Sequence, residues 1–208
     1  MNYRISHSAA TQRIQEFGSY AYFPLHLQPE MTTSSLGGMY VDQMLAIERL
    51  ARKMPSGSRV VVKENPKQNE YQRPESFYMR LAAIPNVVLA PTETSTFDLI
   101  RGSLFVATVT GTAGWEAVNL GKPALVFGKA WYERLPGVFK YKPDIELEKV
   151  IGFNLDRGAL ETMYRELMSL SWPGIISSPY FALTPGLDIR ENNRRVTEAI
   201  RTAIGFIA

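Results

Sequence analysis

The chain has 208 residues, 45% of them hydrophobic and 21% charged, with a formal net charge of +3; this is an ordinary globular composition, and its mixed charges give no sign of nucleic acid as a partner. It contains no cysteine, which excludes disulfides, thiolate metal sites and a cysteine nucleophile together. No run approaches the roughly 18 apolar residues of a membrane-spanning helix, and the stretch MNYRISHSAATQRIQEFG lacks the apolar core of a signal peptide, so the expected location is the cytoplasm, with peripheral attachment at the inner membrane face left open.

In chain order, YAYF (20–23) reads as a strand. The stretch that follows, FPLHLQPEMTT, carries Pro24 and Pro29 and presents His26, Gln28, Glu30, Thr32 and Thr33, so it reads as a polar loop leaving that strand. VDQMLAIERLARKM (41–54) has apolar residues at helical spacing, RVVVKE (59–64) is a strand, and PESFYMRLAAI (74–84) is a helix opened by Pro74. NVVLA (86–90), LFVATV (104–109) and PALVFG (123–128) are further strands; TSTFDLIRGS (94–103) and GTAGWEAVNLG (111–121) are the helices between them. KAWYERLPGVFKY reads as an aromatic loop, followed by helices near 144–151, 157–170 and 188–206. The basic cluster IRENNRRVTEAIR includes Glu191 and Glu198 and reads as the solvated face of the last helix.

Such βαβ alternation, with continuous Val-rich strands, predicts an α/β fold: a Rossmann-like parallel sheet flanked by helices. The chain is expected to form one such domain, with an N-terminal extension (1–18), a core (19–140) and C-terminal helices (141–208). Ligands of parallel sheets bind beyond the carboxyl ends of the strands. That directs attention to the loops HLQPEMTTSSLGG, KENPKQN, PTETST, TGTAGWEA and KAWYERLPG.

TGTAG is the most suggestive of them. Small residues let a phosphate approach the backbone at Gly111, the hydroxyls of Thr110 and Thr112 can donate to it, and the following helix start offers free N–H groups. Glu116, one turn in, can accept both hydroxyls of a ribose. The loop is neither a Walker loop nor a GxGxxG fingerprint. Each feature also has a local role, as helix cap, turn or favourable charge near a helix start. Trp131 and Tyr132 can stack on a base or sugar, or simply pack.

The run TVTGTAGWEAVNLGKPALVFGKAWY resembles the nucleotide-binding signature of bacterial capsule polysaccharide biosynthesis proteins, the family containing the Kdo (3-deoxy-manno-octulosonic acid) transferases of capsule and lipopolysaccharide assembly. FPLHLQPEMTTSSLGGMYVDQMLAIERLA, VVVKENP and SFYMRLAAIPNVVLAPTETSTFDLI agree with it in order, so the resemblance runs from Tyr20 to Val138. More weakly, the same segments are similar to sialyl- and polysialyltransferases and, through Glu116 to Pro123, to GT-B enzymes at large. The resemblance implies the C-terminal, nucleotide-sugar-binding half of a GT-B glycosyltransferase, excised from a parent whose N-terminal domain supplies most of the acceptor site.

It further implies that Gln28, Pro29 and Glu30 match the loop whose acidic residue lies near the anomeric carbon, making Glu30 the catalytic candidate, with His26 and Gln28 as substrate contacts. The family's Lys-Glu-His-Pro run reads here Lys63, Glu64, Asn65, Pro66. Asn65 can donate a hydrogen bond to a donor phosphate but shuttles no proton, and Lys63 can neutralise that phosphate instead. The implied partners are a nucleotide sugar, CMP-linked in preference to UDP-linked, and a saccharide or glycolipid acceptor. No cofactor is expected, and Asp and His are too scattered to predict a metal site. Two alternatives stay open: a non-catalytic nucleotide-binding or interaction module, favoured by Asn65, and an enzyme akin to UDP-sugar 2-epimerases.

Overall fold

The computed structural model describes residues 14–69, 71–176 and 178–205. Most of the expected N-terminal extension, and the Phe206 end of the last helix, lie outside the described residues. The chain divides into two compact units, Met1–Arg157 and Gly158–Ala208.

The first unit is built on six strands: β1 (Tyr20–Pro24), β2 (Arg59–Lys63), β3 (Val87–Ala90), β4 (Phe105–Thr108), β5 (Ala124–Val126) and β6 (Val138–Lys140). They pair in the order β3-β2-β1-β4-β5-β6, every neighbouring pair parallel. Six helices accompany them: α1 (Met31–Leu36), α2 (Gln43–Lys53), α3 (Glu75–Ala82), α4 (Thr96–Gly102), α5 (Ala113–Asn119) and α6 (Leu147–Ile151). The expected Rossmann-like α/β architecture is thus present. Strand side chains alternate between faces. Ala21, Phe23, Val60, Val62, Phe105, Ala107 and Leu125 join Met44, Ile47 and Leu50 of α2 in the main core. Tyr20, Tyr22, Val61 and Val106, in the opposite register, are also buried. Burial on both faces is why these strands read as continuous apolar runs.

Two expectations are corrected. KAWYERLPGVFKY is not all loop, because Val138–Lys140 forms β6, seated on β5 by the Ala124 N–H donating to Gly137 O (2.8 Å) and the Tyr141 N–H donating to Val126 O (2.8 Å). Three residues at a sheet edge are too few to show a periodic pattern. Nor is FPLHLQPEMTT loop throughout. Pro29 precedes the first turn of α1 instead of interrupting it, so the proline does not prevent a helix there. The order of strands also locates a switch point: the chain winds outward from β1 through β2 to β3, and from β4 through β5 to β6 on the other side. The loops after β1 and β4 therefore open next to each other, where parallel sheets hold ligands.

In the second unit, α7 (Arg157–Ser169, starting at the boundary), α8 (Ser178–Ala182) and α9 (Ile189–Gly205) are the helices among the described residues; α8 was not evident in the sequence. The buried Asn192 of α9 accepts from the Ile175 N–H (2.7 Å) and donates to Ile175 O (2.9 Å). Arg190, Arg194, Arg195 and Arg201 are exposed, and Glu191 bridges Arg194 and Arg195, so the basic cluster is the solvated face expected of it.

Candidate functional site

The loop leaving β1 is fixed by its backbone. The His26 N–H donates to Gln43 Oε1 (2.7 Å), and His26 O accepts from Gln43 Nε2 (3.2 Å) and Arg73 Nη2 (2.7 Å). Gln28 is clamped on every side: its N–H donates to Gln68 Oε1 (2.8 Å), its carbonyl accepts from Gln68 Nε2 (2.9 Å), its Nε2 donates to Val41 O (2.8 Å) and its Oε1 accepts from Arg73 Nη1 (3.0 Å). Arg73 is itself buried and lies over the Phe77 ring. Its Nε sits 2.7 Å from Glu64 Oε2, an ion pair made without an aligned N–H bond, and the same oxygen accepts from the Tyr78 hydroxyl (2.7 Å).

This scaffold presents His26 and Glu30. The buried His26 ring faces β4: its Nε2 lies 2.9 Å from Thr108 Oγ1 and accepts from the N–H groups of Val109 (3.3 Å) and Thr110 (3.5 Å). Its Nδ1 faces Thr33 Oγ1 (3.0 Å) and, farther off, Glu30 Oε2 (3.7 Å). Glu30 occupies the N-cap position of α1, but its side chain caps no backbone N–H. Its carboxylate instead accepts from the Thr32 hydroxyl on Oε1 and from the Thr33 hydroxyl on Oε2 (2.6 Å). Burial pushes the Glu30 carboxyl up, but the two hydroxyls and then His26 outweigh it and leave the group below the usual carboxylate range. His26 is held below its ordinary value, first by burial and also by Arg73, against the pull of Glu30. Near neutral pH the pair is thus an ionised carboxylate beside a neutral imidazole.

Across the switch point, the backbone of the loop after β4 is tied down, but its side-chain polar groups are largely uncommitted. Thr110 Oγ1 touches only Thr33 Oγ1, at 3.5 Å. Among the described residues, neither the Thr112 hydroxyl nor the Glu116 carboxylate has a hydrogen-bond or ion-pair partner. Gly111 is required by proximity, because a Cβ there would stand 2.8 Å from His26 Cε1. Its carbonyl accepts from the buried Tyr132 hydroxyl, which answers what Tyr132 does: it ties the loop down. Trp131 is 55% exposed and leans on Trp115, ring centroids 4.6 Å apart.

The remaining expected residues are placed differently. The Lys63 ammonium donates to Thr94 O (2.7 Å) and Thr96 Oγ1 (2.9 Å), ordering the loop after β3 and leaving one of its three protons uncommitted. Burial lowers its pKa, against Glu93. Asn65 Oδ1 accepts from the Lys67 N–H (3.0 Å), closing a local turn. The geometry therefore brings together His26, Glu30, Thr110 and Gly111, whereas Gln28, Lys63 and Asn65 are engaged elsewhere. Sequence reasoning missed Gln43, Gln68, Arg73 and Thr108, whose partners are distant in the chain. Thr33 was visible as a loop hydroxyl but not as the bridge between His26 and Glu30.

Among the described residues no group of three or more His, Asp or Glu side chains is placed to hold a metal ion, and no helix is long and apolar enough to cross a membrane. The family described as "Capsule polysaccharide biosynthesis protein" matches residues 13–147, well over half of the chain. No curated protein sequence matches it. Solved structures similar to it include two of KpsC from Thermosulfurimonas dismutans. The β-Kdo 2,7-transferase is 15% identical with a TM-score of 0.48, over 68% of this chain and 43% of that one. The β-Kdo 2,4-transferase is 21% identical with a TM-score of 0.46, over 60% and 38%. The UDP-GlcNAc 2-epimerase of Methanocaldococcus jannaschii is 12% identical with a TM-score of 0.45, over 75% and 47%. The chain spans less than half the length of each.

Proposed function

The chain belongs to the capsule polysaccharide biosynthesis protein family, and from that premise we propose that it is the nucleotide-sugar-binding half of a glycosyltransferase acting in surface polysaccharide synthesis. One observation carries the reading: an ionised, hydrogen-bonded carboxylate, Glu30, stands at the switch point of a parallel sheet beside a loop in which, among the described residues, the Thr112 hydroxyl and the Glu116 carboxylate have no hydrogen-bond or ion-pair partner and the Thr110 hydroxyl has only a long contact with Thr33 (3.5 Å). In this reading the donor is CMP-linked Kdo or a similar sugar. Thr110 and Thr112 face the donor phosphate and Glu116 faces the ribose. The acceptor, a saccharide or glycolipid, approaches from an N-terminal domain of the same parent chain, in the cytoplasm or at the inner face of the membrane.

The reaction asks few things of these residues. The acceptor oxygen bonds to the anomeric carbon, the bond from that carbon to the phosphate oxygen breaks, and its electron pair leaves with the nucleotide. Hydrogen-bond donors around the phosphate stabilise that departure. Glu30 takes the acceptor proton in an inverting transfer, or attacks first and is displaced in a retaining one. A carboxylate pinned by two hydroxyls also opposes the positive charge that develops at the anomeric carbon in either case.

Nucleotide binding is the direct test. Millimolar CMP should raise the melting temperature of this chain where UDP does not, since a ligand that binds only the folded state stabilises it by mass action. Stabilisation by UDP alone favours the epimerase-like alternative, and indifference to both removes the nucleotide reading. In the full-length parent, Glu30→Gln should lower transfer by roughly a hundredfold or more while leaving CMP binding intact. The turn closed by Asn65 supports one competing reading, a non-catalytic binding module. CMP binding without transfer in the parent would favour it.

A further inference from the structure

Glu30 is held from behind by a chain of hydrogen bonds whose direction chemistry dictates. Backbone N–H groups can only donate, so the approach of the Val109 and Thr110 N–H groups to His26 Nε2 (3.3 and 3.5 Å) requires that nitrogen to be an acceptor. The neutral ring must then carry its proton on Nδ1, which donates to Thr33 Oγ1 (3.0 Å). Having accepted there, Thr33 turns its single proton to Glu30 Oε2 (2.6 Å). The direct approach of Nδ1 to Glu30, at 3.7 Å, is too long for a hydrogen bond. Thr33 is thus the link between an imidazole anchored on the loop after β4 and the carboxylate at the start of α1. Its side chain is buried, 1% exposed.

We propose that Thr33 is a positioning residue: its hydroxyl passes the His26 hydrogen bond on to Glu30 and so aims the carboxylate and couples it to the loop after β4. The charged groups around the chain fit this direction. Glu30 itself faces His26 from four residues later in the chain. Arg73 stands at the His26 carbonyl, balanced by Glu64. The end of β4 presents the Thr108 hydroxyl to the ring, and the loop after it presents the Val109 and Thr110 N–H groups. Protonating His26 would set an Nε2–H against two N–H donors and force the Thr108 hydroxyl, which already accepts from the Gly111 N–H, to turn its proton away, so in this proposal the ring orients Glu30 and is not a proton carrier. This inference rests on the reading of Glu30 as the reacting carboxylate, yet the chain of bonds is measurable by itself.

The sequence contains two histidines, His7 and His26, so side-chain nitrogen NMR can resolve the ring, with His26→Gln supplying the assignment. The expected result is an Nδ1–H tautomer for His26 in a ring that takes up its proton below the ordinary histidine pKa of about 6.5. An Nε2–H tautomer, or a ring that charges at its ordinary pH, overturns the proposal without any further variant. Next, Thr33→Ser should preserve the carboxyl titration of Glu30, whereas Thr33→Val should move it upward toward that of a free glutamate. Equal titrations in the two variants also overturn it. In the full-length parent, Thr33→Val should lower kcat by up to about a hundredfold at unchanged donor KM, with Thr33→Ser restoring it. Should Glu30→Gln leave transfer untouched while the Thr33 variants still move the Glu30 titration, the coupling stands and only the catalytic reading falls.

Discussion

The loops after β1 and β4 meet at the same switch point and are built in opposite ways. After β1, nearly every polar group already has a partner: Gln28 is bonded at all four of its polar groups, His26 at both ends of its ring and along its backbone, and Glu30 at both oxygens. After β4, Thr110, Thr112 and Glu116 are almost entirely unpartnered among the described residues. A reacting group must be held still before substrate arrives, since catalysis depends on orientation. A binding group must be free, since a hydrogen bond spent internally has to be broken before a ligand can take it. In the proposed reading the contrast divides labour between the two loops, with Glu30 preorganised and Thr110, Thr112 and Glu116 open to the donor.

The largest effect that can break this contrast is expected at Arg73. Arg73→Ala leaves Glu64 buried without its counter-charge and removes donors from His26 O and Gln28 Oε1. The expected cost is about 3–5 kcal/mol in urea unfolding. A loss under about 1 kcal/mol would show that the clamp contributes no rigidity and that the loop is ordered by something else. Gly111→Ala comes next, at about 1–3 kcal/mol, because the new methyl must displace the His26 ring; an unchanged urea midpoint would mean that the two loops are less tightly apposed than their geometry indicates. Glu116→Gln should be the mildest, within about 0.5 kcal/mol of wild type in stability, yet it should weaken CMP binding by roughly tenfold. If its cost fell on stability and not on binding, the loop after β4 would be structural and the division of labour would fail.

The same contrast explains what was readable in the chain. TGTAG was legible because small residues and hydroxyls ahead of a helix are a local pattern, and the free state of that loop needs no distant partner. Glu30 and His26 stood out by type. What Gln28 and Lys63 do was not legible, because each is decided by hydrogen bonds to another loop, whereas Asn65 only closes its own turn. Arg73 went unnoticed as an ordinary charge before Pro74. Its partner at His26 lies 47 residues away.

By itself, the sequence determined the alternation of strands and helices, hence a parallel α/β sheet, through the burial of Val-rich strands on both faces. It also determined which loops would lie at the carboxyl edge, since strand direction follows from that alternation. Tertiary structure alone decided that His26 and Thr108, 82 residues apart, would share a hydrogen bond, and that Thr33 would stand between His26 and Glu30. Strand order places β1 beside β4, and no local periodicity encodes strand order. The hydroxyls of Thr32 and Thr33 reach Glu30 locally, but the bonds that anchor His26 behind them exist only once the sheet is assembled.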